Sequence, residues 1–194
     1  MRLTAFIAAF FVLASPAAAK DWMEYAYPDH SFTVAFPAEP KVERASYQVS
    51  DGSTFEARVF SVALDGSLFK MTVVELTDGN ANGDALVTHA VKALTDGSQI
   101  KLDIPHRIRS TYGRQLAVAR PDGSFTYVAV FFHKQRLYQL EGIASVAGGE
   151  ADVDAMIFHQ SLDLTYASAG GRQAWRPLMS RCKVAPAIAA GPRP

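Results

Sequence analysis

The triplet Asp-Gly-Ser occurs four times in this chain of 194 residues, and it divides the sequence into segments of different pattern. Glycine adopts the positive φ angles that tight turns need, and the aspartate can accept a hydrogen bond within its own turn. The triplets begin at Asp51, Asp65, Asp96 and Asp122. Three of them separate β-rich segments, which predicts hairpins, and the one at Asp96 ends a helical pattern. Calcium loops are disfavoured, because they need alternating oxygen ligands and a terminal glutamate that these segments lack.

Apolar residues alternate along the segments that the triplets join. In "SFTVAF", Phe32, Val34 and Phe36 fall on one face of a strand, and Pro37 and Pro40 end that strand before the next one begins. "WMEYAYPD" predicts a short strand before it. Further strands are predicted in "KVERASYQV", "TFEARVFSVAL", "LFKMTVVEL", "QIKLDIPHRIRS", "GRQLAVAR", "SFTYVAVFFH" and "QRLYQLEGIAS". Because "YVAVFF" is apolar on both faces, it is predicted to be the central strand, covered on both sides.

Two segments have helical spacing. In "NANGDALVTHAVKALTDG", Asn82 or Asp84 can cap the first turn and Gly97 can end the helix. In "GGEADVDAMIFHQSL", acidic residues favour the helix N-terminus, and Val153, Met156 and Ile157 are predicted to face the core. The order of strands, helix, strands and helix predicts an α+β fold, with helices flanking an antiparallel sheet.

The two ends of the chain differ from the middle. Residues 1–19 have the pattern of a secretory signal peptide: Arg2, an apolar run, and small residues up to Ala19. The apolar run is shorter than the roughly 20 residues that cross a bilayer, so cleavage near Ala19 is predicted rather than a membrane anchor. A periplasmic or secreted location follows. Residues 20–166 are predicted to form one domain, and the Gly-, Ala- and Pro-rich residues 167–194 a flexible tail. The alternative is that Trp175 and its apolar neighbours dock on the domain or on a partner.

Charge and cysteine content limit the partners. The chain has 19 basic and 19 acidic residues, whereas surfaces for nucleic acid or anionic membranes need clustered Lys and Arg. Neither is predicted as the main partner. Cys182 is the only cysteine, so no internal disulfide can form, and its place in the tail predicts an exposed spare thiol.

The segment "YPDHSFTVAFPAEP", from Tyr27 to Pro40, follows a signal-peptide pattern, and the last predicted helix ends in "FHQSL". Together with the order of strands and helices, these residues resemble the PsbP/Mog1-like superfamily over roughly residues 22–166, and most resemble its small exported bacterial members. The resemblance implies an α/β/α sandwich and a role as a binding or assembly module. It carries over no specific activity.

The sequence has no motif that commits it to catalysis. The five histidines include no pair at the spacing of a helical zinc site, and there is no Gly-x-Ser-x-Gly elbow and no phosphate-binding loop. We therefore expect a protein that is not an enzyme and has neither a cofactor nor a metal.

Aromatic residues and arginines are typical of interfaces. The predicted interaction surface consists of Tyr127, Tyr138, Arg107, Arg109, Arg114, Arg136 and Trp175. The alternative is that the aromatics belong to the core and the arginines cover polar faces. The preferred hypothesis is a noncatalytic binding or assembly domain that contacts an envelope protein. A second is a module that holds a small apolar or aromatic ligand between sheet and helix, and a third is a hydrolase with an unrecognised site.

Overall fold

The computed structural model describes residues 22–76, 82–145, 150–164 and 176–177 of the chain. Its first half contains β1 (Met23–Tyr27), β2 (Phe32–Phe36), β3 (Lys41–Gln48), β4 (Thr54–Leu64), β5 (Ser67–Glu75) and α1 (Gly83–Thr95). Its second half contains β6 (Gln99–Ile108), β7 (Thr111–Ala119), β8 (Phe125–His133), β9 (Arg136–Ala144), α2 (Glu150–Gln160) and β10 (Arg176–Pro177). The predicted α+β class is confirmed.

The larger sheet has seven antiparallel strands in the order β3-β4-β5-β9-β8-β7-β6. Three of its hairpins, β3–β4, β4–β5 and β7–β8, turn at the predicted triplets. Gly52, for example, has φ +88°, and the Asp51 carboxylate accepts a hydrogen bond from the backbone N–H of Ser53 at 2.8 Å. The Asp122 carboxylate likewise accepts a hydrogen bond from the backbone N–H of Ser124. Local turn chemistry therefore sets the strand boundaries that the sequence predicts.

Helix α1 covers one face of this sheet, which we call the α1 face. The side chain of Asn82 caps the helix by accepting a hydrogen bond from Ala85, and Gly97 follows its end with φ +66°. Its buried side chains pack on β7, β8 and β9. These residues are Leu86, Val87, Ala90 and Val91, whose spacing places them on one side of the helix.

Helix α2 and a smaller sheet cover the opposite face, the α2 face. Phe158 of α2 packs its ring against those of Phe36 and Phe69, with centroids 5.0 and 5.5 Å apart. The predicted inward face of α2 is wrong, because Val153, Met156 and Ile157 are exposed. The helix instead buries Asp154, Ala155, Phe158 and His159. The apolar pattern predicts the wrong face because two polar side chains, Asp154 and His159, occupy part of the buried face.

The smaller sheet has the order β10-β1-β2. Strand β2 ends before Pro37, as predicted, and the chain enters the larger sheet as β3 directly after Pro40. The free edge of β2 is closed by Asp163, whose backbone exchanges two hydrogen bonds with Thr33 at 2.8 and 2.9 Å. Strand β2 is thus joined to the segment that follows α2.

Strand β8, which contains "YVAVFF", is buried on both faces as predicted, but β9 occupies the centre of the seven strands. Within the described part of the chain, no helix is long and apolar enough to cross a membrane. The predicted signal peptide of residues 1–19, Trp175 and Cys182 lie outside the described residues. So does the predicted flexible tail, apart from Arg176 and Pro177, which pair with β1.

Candidate interaction surface

The β6–β7 hairpin forms one edge of the seven-stranded sheet. Strand β6 is the edge strand and pairs with β7 down to Ile108 and Thr111. Arg109 lies in the connecting turn with φ +54°. Helix α1 packs mainly on β7 to β9, and α2 mainly on β5, β8 and β9, so β6 extends beyond both helices.

Half of the exposed large apolar side chains of the described residues lie on this hairpin, and three more lie on α2. Among the described residues, eight large apolar side chains are substantially exposed, and seven of them lie on β6, β7 or α2. They are Ile100, Leu102, Ile104, Tyr112, Val153, Met156 and Ile157. The eighth, Val42, lies on β3 at the opposite edge. Single exposed apolar residues are ordinary, but a concentration of them marks an interaction site.

The apolar side chains of the hairpin lie on both faces of the sheet. Ile104 is opposite Gln115 in the register, and Gln115 contacts His159 of α2, so Ile104 lies on the α2 face. Leu102 lies on that face too, opposite Ala117. Tyr112, which is 70% exposed, lies on the α1 face with Ile100. An occupant that clasps the edge can therefore contact both faces.

The hairpin is strongly basic. Residues 99–120 contain five basic side chains and one acidic side chain, a net charge of +4. The bases are Lys101, Arg107, Arg109, Arg114 and Arg120, and the acid is Asp103. The rest of residues 20–164 has eight bases and eighteen acids, a net charge of −10. The hairpin is thus a basic surface on an acidic domain, although the whole chain is neutral.

Local contacts hold three of these arginines. Arg114 donates from Nε to Asp103 at 2.9 Å and contacts its second oxygen through Nη2. The Arg107 guanidinium lies over the ring of Tyr112, 5.9 Å from the centroid. Arg109 makes two hydrogen bonds to the carboxylate of Asp163, at 3.0 and 2.8 Å. These contacts preorganise the side chains and reduce the entropy lost when a partner binds.

The backbone edge of β6 is not suited to adding another strand. Lys101 places a charge there, Pro105 lacks an N–H, and the register shifts between Ile100 and Leu102. Charge, proline and a bulge are the features that prevent edge-to-edge pairing. Contact through side chains is therefore the mode of binding that this hairpin favours.

We define the hairpin surface as the exposed side chains of Ile100, Leu102, Ile104, Tyr112, Arg107 and Arg109. The structure places Arg107, Arg109 and Arg114 of the predicted interaction surface on one hairpin, whereas Tyr127 lies half-buried on β8, on the α2 face and opposite Ala117. The apolar members were missed by the sequence prediction. The charge of residues 99–120 is the signal that could have found the region, and a proline inside a strand pattern indicates an edge.

Tyr138 does not belong to any surface, which corrects the prediction. It is fully buried, and its hydroxyl donates a hydrogen bond to the backbone oxygen of His30 at 2.9 Å. Burial raises its pKa to about 12. The residue is a core aromatic whose polar end is satisfied internally.

Arg136 lies at a different place, at the start of β9. It donates hydrogen bonds to the Ser31 hydroxyl at 3.2 Å and to the Asp29 carbonyl at 3.1 Å. It also lies 3.4 Å from the Glu75 carboxylate, which contacts His30 Nδ1 at 2.9 Å. Arg136 thus fixes the turn between β1 and β2 and is separate from the hairpin.

A pocket of about 260 Å³ lies beside this turn. It is lined by His30, Thr54, Phe55, Glu56, Arg58 and Glu75. Its volume is below the range of roughly 300–1,000 Å³ that is usual for sites of drug-sized ligands. In the described ranges, no three His, Cys, Asp or Glu side chains are placed to hold a metal ion.

No protein-family model matches the chain, and no curated protein matches it. Among solved structures, it is similar to the solution structure of cyanobacterial PsbP (CyanoP) from Synechocystis sp. PCC 6803. The identity is 8%, the TM-score is 0.50, and the match covers 77% of this chain and 96% of that one. A crystal structure from Bacteroides thetaiotaomicron VPI-5482 matches with 12% identity and a TM-score of 0.38, over 74% of this chain and 48% of that protein. At 8% identity, the first match shows the fold alone. The chain has a PsbP-like fold.

Proposed function

We propose that this protein is an exported, noncatalytic binding domain whose hairpin surface binds an acidic region of another envelope protein. The observation that carries the proposal is that one sheet edge combines four of the eight exposed large apolar side chains of the described residues with a net charge of +4. The signal-peptide pattern of residues 1–19 supports export.

Apolar burial and charge have different parts in this binding. Removing the exposed side chains of Leu102, Ile104 and Tyr112 from water supplies the driving force, at roughly 25 cal/mol for each Å² buried. The arginines attract an acidic partner over longer distances and fix its orientation. Arginine and tyrosine are also the residues that most often dominate interface energies.

The test is crosslinking in living cells of the source organism. A photoreactive amino acid replaces Ile104 on the hairpin surface or Val42 on β3, and both sites are exposed apolar positions on an edge strand of the same sheet. We expect a discrete adduct from position 104 that mass spectrometry identifies as one protein, and no such adduct from position 42. Identical adducts from both positions, or none from position 104, would contradict the proposal.

A charge reversal separates binding through this surface from incidental proximity. Arg107→Glu is expected to reduce the adduct at position 104 by about tenfold, because it reverses a charge within the interface. The matched control is Arg44→Glu on β3, where the arginine is also exposed. It should leave the adduct unchanged. An equal loss with both variants would show that the net charge of the protein, and not the hairpin, controls the contact.

A further inference from the structure

The pocket beside the turn between β1 and β2 has charged groups of both signs in its wall. Its volume is about 260 Å³, and its charged side chains are Glu56 and Arg58 of β4 and Glu75 at the end of β5. The imidazole of His30 and the ring of Phe55 also line it. A concave site where a few polar groups converge is the usual form of a small-molecule site.

His30 is held in one orientation at this pocket. Its Nδ1 lies 2.9 Å from Glu75 Oε1, and its ring lies 5.9 Å from that of Phe60, centroid to centroid. Its backbone oxygen accepts the hydrogen bond of Tyr138. Because a carboxylate only accepts hydrogen bonds, Nδ1 carries the proton, and Nε2 of the neutral ring is an acceptor. The described residues donate no hydrogen bond to this Nε2.

The two carboxylates carry like charges at neighbouring positions. Glu56 on β4 and Glu75 on β5 lie just beyond the last pair of these two strands, and like charges on adjacent strands destabilise a sheet. Arg58 lies 2.8 Å from Oε1 of Glu56, and Arg136 lies 3.4 Å from Oε1 of Glu75. Oε2 of each carboxylate accepts no hydrogen bond from the part of the chain that the structure describes.

These groups define the chemistry of a ligand. A primary ammonium has three N–H donors, which match the unused oxygens of Glu56 and Glu75 and the unused nitrogen of His30. The guanidinium of Arg58 has the planar fork of donors that suits a carboxylate. A ligand with only one charge would meet groups of its own sign, whereas a zwitterion has a partner for both.

The size and the exposure of the pocket fit a small molecule. At roughly 30 Å³ for each water molecule, 260 Å³ corresponds to about nine waters, which is about the size of a free amino acid. The side chains of His30 and Arg58 are 21% and 27% exposed, so the site is reached from solvent although most of its surface is covered. Phe55 provides an apolar wall for a side chain.

We propose that this pocket binds a free α-amino acid with an apolar side chain. The ammonium group of the ligand binds Glu56, Glu75 and His30, its carboxylate binds Arg58, and its side chain packs on Phe55. This inference does not depend on the proposed function of the hairpin surface.

NMR titration of the full mature chain with L-leucine tests the proposal. Two analogues are compared with it: isoamylamine, which lacks the carboxylate, and isocaproate, which lacks the ammonium group. We expect saturable changes in the signals of His30 and Arg58, and a Kd for leucine at least about tenfold lower than for either analogue, because each analogue leaves charged groups of the pocket unpaired. No saturable change with leucine up to roughly 10 mM, or equal binding of either analogue, would overturn the proposal.

Variants of the two charged residues of β4 test the site itself. Glu56→Gln and Arg58→Gln should each raise the Kd for leucine at least about fivefold, since each removes one charge that the ligand pairs with. Both residues lie outside the core, so the variants leave the fold intact. The control is Glu43→Gln on β3, an exposed glutamate that also has a basic neighbour, Lys41 at 2.8 Å, and should leave the Kd unchanged. Equal effects of all three variants, or unchanged binding by either pocket variant, would refute this site.

Discussion

The ring of Tyr127 on β8 stacks on the ring of His159 on α2, with 5.3 Å between centroids and 28° between planes. His159 is only 3% exposed. Its Nδ1 lies 2.7 Å from the Met156 carbonyl oxygen, and its Nε2 contacts the side-chain amide of Gln115. Burial lowers the pKa of His159 to about 4; nearby His106 contributes to the lowering, and the hydrogen bond to Met156 opposes it. The histidine that joins α2 to the sheet is therefore neutral at pH 7.

This burial predicts a loss of stability in acid. In the unfolded chain His159 takes up a proton near pH 6.5, but in the folded protein only near pH 4, so stability falls as the pH decreases from 6.5 to 4. The full effect is about 3 kcal/mol in the free energy of unfolding. Urea unfolding at pH 7 and pH 4 measures it.

The variant His159→Gln isolates this contribution. Burial also lowers the pKa of His133, so that residue adds a loss of the same sign in both proteins. The variant should therefore lose less stability between pH 7 and pH 4 than the native protein. An unchanged difference between the two pH values would show that His159 is not the source.

Neighbouring positions of α2 test which face of the helix is inward. Phe158→Ala should lower the free energy of unfolding by about 3–5 kcal/mol, because it removes a ring buried against Phe36 and Phe69. Ile157→Ala removes an exposed side chain and should change stability by less than about 0.5 kcal/mol. Thermal and urea denaturation of the two variants compare them, and similar losses would contradict this orientation of α2.

Gly142 allows close contact between β9 and α2. A Cβ atom at this position would lie 2.4 Å from the Ala155 carbonyl oxygen and 2.9 Å from its Cα, both in the helix backbone. Gly142→Ala should therefore destabilise the protein by about 2–3 kcal/mol, since the helix must move away from the sheet. Gly52→Ala, where nothing lies within 4 Å, serves as the comparison. The alanine at position 52 is strained by the positive φ angle and should lower the free energy of unfolding by about 1 kcal/mol. Chemical denaturation of the two variants compares them. Equal losses of stability at positions 52 and 142 would contradict the close contact between β9 and α2.

The hydroxyl of Tyr138 stabilises the turn between β1 and β2. Tyr138→Phe leaves the partly buried carbonyl of His30 without its donor and should cost about 1–2 kcal/mol in the free energy of unfolding. Tyr112→Phe removes the hydroxyl of an exposed tyrosine and should have no measurable effect on stability. Urea titrations of the two variants distinguish these outcomes, and a neutral Tyr138→Phe would mean that water replaces the donor.

Turns and strand boundaries could be predicted because their causes are local. The conformation at Gly52 and the hydrogen bond of Asp51 depend on three consecutive residues, and the cap at Asn82 depends on four. The inward face of α2 depends on residues far away in the chain. Only the folded structure shows that His159 is buried in contact with Gln115 and Tyr127, whereas Ile157 is exposed.

The candidate surface was predictable in part for the same reason. Arginines 107, 109 and 114 are close in sequence and lie on one hairpin, so their grouping needed no tertiary knowledge. The exposure of Leu102 and Ile104 follows from the position of β6 at the edge of the sheet, which is decided by the whole topology. Arg136 lies apart from the other arginines for the same reason, because the topology places the start of β9 beside the turn between β1 and β2.

The two hydrogen bonds between Thr33 and Asp163 join β2, near the beginning of the described residues, to a residue that follows α2. Contacts between such distant residues form late and slow the folding of a domain. The small sheet therefore cannot be completed while the ribosome is still making α2 or the residues after it. A chain built in this way reaches its native state only after synthesis has passed Asp163.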